Sequence, residues 1–142
     1  MKISFPLVIF ATGTVAQGVG FLSPPQGAVL HPGQYFTAQI VQYNQPVSLI
    51  DVGIALGMGE CPHGNCPSPC DGMSNVLYAG PYNPQVDDPG GWYQNFTVQV
   101  PQHISHGLAT LGVVRFSLIG IENGPTIGCY NTTVKVARKS GN

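Results

Sequence analysis

Apolar residues recur at every second position over several stretches of this chain, the two-residue period of strands buried on one face. In "YFTAQIVQY", Phe36, Ala38 and Ile40 alternate with Thr37, Gln39 and Val41. "NFTVQVP" sends Phe96, Val98 and Val100 inward, and Pro101 stops the strand. "LIDVGIALG" places Ile50, Val52, Ile54 and Leu56 on one face and Asp51 on the other. "LATLGVVRFSLIG" predicts a longer apolar strand, and "CYNTTVKV" a last one with Tyr130, Thr132, Val134 and Val136 on one side. Residues 18–22 and 75–78 predict two shorter strands.

Turn formers separate these segments: Pro24-Pro25, Pro32-Gly33, Pro81, Pro89-Gly90-Gly91 and Asn123-Gly124-Pro125. No window of useful length has helical periodicity. About seven short strands at this spacing predict an all-β fold, an immunoglobulin-like β-sandwich, with a small barrel as the alternative.

Residues 1–16, "MKISFPLVIFATGTVA", have the form of a secretory signal peptide. Lys2 supplies the positive start, Ile3 to Ala11 the apolar run, and Thr14-Val15-Ala16 the small residues a signal peptidase reads. The run is shorter than the roughly 20 residues that span a bilayer. Residues 17–142 are expected to form one secreted, extracellular domain, beginning near Gln17 or Gly18, with no membrane insertion.

That location decides how the cysteines are read. Cys61, Cys66 and Cys70 crowd into "ECPHGNCPSPCDG", and Cys129 lies far downstream. An even count in an oxidising compartment implies disulfides. Three pairings exist, and each bonds Cys129 to one clustered cysteine and closes the other two locally. The insert is thus expected to be a loop stapled to the last strand. The competing zinc reading, through Cys61, His63, Cys66 and Cys70, lacks paired C-x-x-C knuckles, and Pro62, Pro67 and Pro69 restrict the backbone around an ion.

Charge narrows the function further. Charged residues are 8% of the chain, with five Lys and Arg against six Asp and Glu, so no basic stripe supports nucleic-acid binding. Catalytic patterns are missing. Asp87 and Asp88 adjoin on a Pro/Gly loop, and a glycosidase needs two carboxylates held across a sugar bond. Asp51 is expected to face outward, there is no G-x-S-x-G elbow, and His31, His103 and His106 sit in turn sequences. No enzyme activity and no cofactor are expected.

Two sequons, Asn95-Phe96-Thr97 and Asn131-Thr132-Thr133, fall on predicted strands. Asn95 and Asn131 both face away from the core in that register, where a glycan can sit. Binding is left to aromatics in turns, among them Tyr78 and Tyr93. Tyr43 in "QYNQP" and Tyr82 in "GPYNP" are expected to be exposed, and Trp92 in "GGWYQ" completes the candidate contact set. As the only tryptophan in a sandwich, Trp92 is also expected to be buried.

The order of these segments resembles a known family. After the leader come "LSPPQGAVLHPGQYFTAQIVQYNQPVSLIDVGIALGM", "LYAGPYN", "NFTVQVP", "GLATLGVVRFSLIGIENGPTI" and "NTTVKV". This series resembles the fungal necrosis-inducing secreted effector family over most of residues 17–142. The resemblance implies a non-enzymatic effector that binds host immune-receptor-associated kinases and suppresses their signalling, with onward transfer into host cells left open. The cysteine-rich insert departs from the family pattern. The alternative is a carbohydrate- or cell-wall-binding module whose partner is a glycan.

Overall fold

The structure, a computed structural model, describes residues 18–43, 48–87 and 91–140. The described residues form nine strands: β1 (Val19–Ser23), β2 (Val29–Leu30), β3 (Tyr35–Gln42), β4 (Leu49–Glu60), β5 (Asn75–Gly80), β6 (Gln85–Asp87), β7 (Gly91–Gln99), β8 (Gly107–Ile119) and β9 (Gly124–Val136). They build two sheets, one ordered β1-β3-β7-β6 and the other β2-β9-β8-β4-β5. The seven expected strands are present. β2 and β6, of two and three residues, are too short to show a period. β9 starts earlier than expected, at Gly124, and the β8–β9 turn is Gly120 to Asn123, with both residues at positive φ. The leader expected at residues 1–16 lies outside the described residues.

Alternation places the core as the sequence predicts on β3, β7 and the end of β9. Ala38, Ile40, Phe96 and Val98 from one sheet meet Ile54, Leu56 and Val113 from the other. A second cluster joins Leu30, Met58, Val100, Ile104, Ala109, Val134 and Val136. Phe36 and Leu77 pack against both, so the interior is continuous. Burying each large aliphatic side chain stabilises the fold by roughly 1.5–3 kcal/mol. β2 is tied on in parallel to β9, through Lys135 N–H to the Ala28 carbonyl (2.9 Å) and Ala137 N–H to that of Leu30 (2.8 Å).

The register of β4 departs from simple alternation. Asp51 lies opposite Ser117 and Gly53 opposite Phe116, so Val52 is an extra residue in a β-bulge. One inserted residue reverses the faces on either side. Ile54 and Leu56 face the core as expected, but Ile50 and Val52 are exposed and Asp51 turns inward. The expectation of an outward Asp51 and an inward Ile50 and Val52 is corrected by this bulge.

The cysteine-rich insert joins β4 to β5. Cys61 bonds Cys66 with Cα atoms 4.2 Å apart, and Cys70 bonds Cys129 on β9 with Cα atoms 5.6 Å apart. The cysteines and proline turns of the insert fold back over the outer face of β4 and β8. Gly57, Gly59 and Gly112 line that face. A Cβ at Gly112 would stand 2.7 Å from Met73 Sδ and 2.7 Å from Pro69 Cγ, and one at Gly57 would stand 2.6 Å from Met73 Sδ. The glycines thus admit a second layer directly onto the sheet backbone. Gly112→Val is expected to cost about 1–3 kcal/mol by overpacking, read as a lower urea midpoint. An unchanged midpoint would mean that the insert lifts off at no cost.

Candidate interaction surface

The outer face of the five-stranded sheet has two halves. Beneath the insert, β4 and β8 are buried on both sides. Beyond it, towards the β8–β9 turn, the same strands are bare. There the bulge turns Ile50 and Val52 outward, Phe116 pairs with Gly53 on one side and Ile127 on the other, and Leu118 pairs with Ile50 and Pro125. Phe116 is 38% exposed and Ile127 is 65% exposed. Ile121 in the adjoining turn is exposed almost completely. Neighbouring rows on three strands therefore present one apolar surface, the kind of patch that marks a contact site.

Behind this surface lies a charged pair. Arg115 Nε donates to Asp51 Oδ1 at 2.5 Å, with side chains 4% and 13% exposed. The guanidinium carbon sits 5.5 Å from the centre of the Tyr82 ring, within cation–π range. Tyr82 also stacks on Phe96, their centroids 6.5 Å apart. Burial pushes the Tyr82 phenol well above its usual range, against the opposing pull of Arg115. Arg115 Nη2 and the Tyr82 hydroxyl have no hydrogen-bond partner among the described residues. The sequence reading missed Arg115. It is the only charged residue in β8, and Asp51 is the only acid between Leu49 and Gly59 on the adjacent strand, so the pairing had a visible trace.

The three aromatic contact candidates do not form one platform. Tyr82, expected on the surface from its Asn and Pro neighbours, is 3% exposed and belongs to the core. The segment after β5 folds inward there, because Tyr78 and Phe96 offer a ring surface to cover. Trp92, expected to be buried, is 43% exposed. It has the inward parity of Phe96 and Val98 but lies near the start of β7, beyond the packed layers. Tyr43 is exposed as expected, and its ring rests by Gly20 of β1, where a Cβ would come within 3.3 Å of the hydroxyl. Gln42 pairs with Trp92, so Tyr43, one residue on, lies on the opposite side.

The other candidate residues are placed as follows. Asn95 and Asn131 are both exposed on outer faces. Asn131 Nδ2 donates to Thr110 Oγ1 at 3.3 Å, whereas the Asn95 side chain has no hydrogen bond among the described residues. Cys61, Cys66 and Cys70 are consumed in disulfides, which leaves His63 alone among the residues of the zinc reading. Glu60 accepts the Ser105 N–H at 2.9 Å, and that bond holds its carboxyl below the usual range. No helix among the described residues is long and apolar enough to cross a membrane.

The pattern of the Nis1 family matches residues 15–135. No curated protein matches the chain.

Proposed function

The chain belongs to the Nis1 family, and from that membership together with its bare apolar sheet face we propose that it is a secreted, non-enzymatic effector. In this reading it acts outside the producing cell by binding host immune-receptor-associated kinases and suppressing their signalling. The observation that supports it best is the surface of Ile50, Val52, Phe116 and Ile127, which sits on a sheet and is exposed among the described residues. A preformed sheet face loses little entropy on docking.

The test is a pull-down of receptor-kinase domains by the disulfide-intact protein. Phe116→Asp is expected to weaken retention at least about 10-fold, because it buries a charge at the centre of the contact. The urea midpoint should fall only modestly, reflecting about 1 kcal/mol of strand propensity and lost packing, because Phe116 is already 38% exposed. Retention unaffected by Phe116→Asp would remove this face from the proposal.

A wall-polysaccharide module is the second reading, favoured by one observation, the exposed ring of Trp92. With Tyr82 in the core and Tyr43 on the other side, stacking would fall to Trp92. Retention on insoluble polysaccharide that Trp92→Ala abolishes, with no kinase retention, would select this reading instead.

A further inference from the structure

The four-stranded sheet has a polar groove at its β6–β7 edge. Asn83, Gln85, Tyr93, Gln94 and Asn95 line it, and its volume is about 350 Å³, at the small end of the roughly 300–1,000 Å³ of small-ligand clefts. Gln94 Oε1 fixes the wall by accepting the Asn83 N–H at 2.8 Å. Four of the five lining side chains are carboxamides and the fifth is a phenol, a set that pairs with sugar hydroxyls and carries no charge.

One of those carboxamides is the acceptor of a sequon. Tyr93, Asn95 and Thr97 alternate with inward Phe96 and Val98 and so share the outer face of β7. Asn95 is exposed, while Tyr93 is half-buried and held opposite Gln85 and Val41. The ring two residues before the acceptor is therefore a fixed flat surface beside the site of attachment. Asn131 differs. Its residue at the same offset is Cys129, bonded to Cys70, and its amide is engaged with Thr110.

We propose that Asn95 carries an N-linked glycan whose first sugar packs on Tyr93 within this groove and stabilises the four-stranded sheet. In the transfer, Asn95 Nδ2 attacks the anomeric carbon of a lipid-pyrophosphate-linked oligosaccharide. The C1–N bond forms, the C1–O bond to pyrophosphate breaks, an amide proton passes to the transferase's base, and the lipid pyrophosphate leaves. The apolar face of the sugar then covers the Tyr93 ring, and its N-acetyl and hydroxyl groups meet the Asn83 and Gln85 amides at the groove. The inference rests on the secreted reading, since glycans of this kind are added in the secretory pathway.

The experiment expresses the full chain in a glycosylating yeast, once with its own leader and once behind a yeast leader. Glycopeptide mass spectra of the yeast-leader protein should show Asn95 occupied. Trimming to a single N-acetylglucosamine should leave Tm unchanged, and producing Asn95→Gln should lower it by roughly 2–5 °C. In the Tyr93→Ser background the same comparison should show no drop. An unmodified Asn95 in the yeast-leader protein, or an equal drop with and without Tyr93, overturns the proposal. The own-leader arm reports separately on secretion: a chain retained in the cell there, but glycosylated behind the yeast leader, defeats the secreted reading and leaves this one standing.

Discussion

Arg115→Ala is expected to destabilise the protein by about 3–5 kcal/mol, a large part of the 5–15 kcal/mol typical of a whole domain. The substitution leaves the Asp51 carboxylate inside the sandwich with its partner gone. It also removes the cation from beneath the Tyr82 ring and opens a gap between Tyr82 and β8. Arg115→Lys is expected to fall short of full rescue, because an ammonium cannot lie flat against the ring and reach Asp51 as a planar guanidinium does. The decisive companion is the double replacement Asp51→Leu with Arg115→Met. Removing both charges together should recover most of the loss or exceed the wild type, since a well-packed apolar pair avoids the desolvation cost of the buried ions. Urea denaturation of the three variants provides the check. A double variant as weak as Arg115→Ala would show that the pair itself, and not the orphaned carboxylate, carries the stability.

The second large effect belongs to the disulfide between Cys70 and Cys129. It closes a separation of 59 residues, and on the chain-entropy model its loss costs about 4 kcal/mol. The Cys61–Cys66 bond spans a separation of only 5 and is worth about 2 kcal/mol on the same model. Replacing Cys70 and Cys129 by alanine should therefore lower the urea midpoint about twice as far as replacing Cys61 and Cys66. The larger change should also release the insert from the sheet, so that a protease cuts between Pro62 and Met73 in otherwise folded protein. Equal midpoints for the two variants would mean that the insert is held by its packing on Gly57 and Gly112 and not by the staple.

The strands of this fold were legible because most of their residues have one buried and one exposed face. Phe36, Ala38 and Ile40, or Phe96, Val98 and Val100, declare their side directly. Family membership was legible in the same way, as an order of such strands. What sequence did not show were events that break a period or depend on distant chain. A bulge at Val52 leaves no mark of its own in an apolar run, yet it decides whether Asp51 is a surface acid or half of a buried ion pair. Tyr82 sits among proline and asparagine, a turn by composition, but Arg115 and Phe96 from other strands draw its ring inside. Trp92 has the parity of the core and is exposed, because burial also needs a facing layer at that height. The apolar contact surface is the product of the same bulge, so it could not be drawn from the alternation of β4. The cysteine count required a link from Cys129 to the cluster, whereas the choice of Cys70 comes from the path of the insert across β8.

That path leaves a signature that can be sought in other genomes. Gly57 and Gly112 are small because Met73 and Pro69 occupy the space their side chains would need. The insert and these two glycines are then expected to be gained or lost together. Relatives whose β4–β5 connection is a short hairpin should carry polar or β-branched residues at those two positions, and relatives with the cysteine-rich connection should keep them bare.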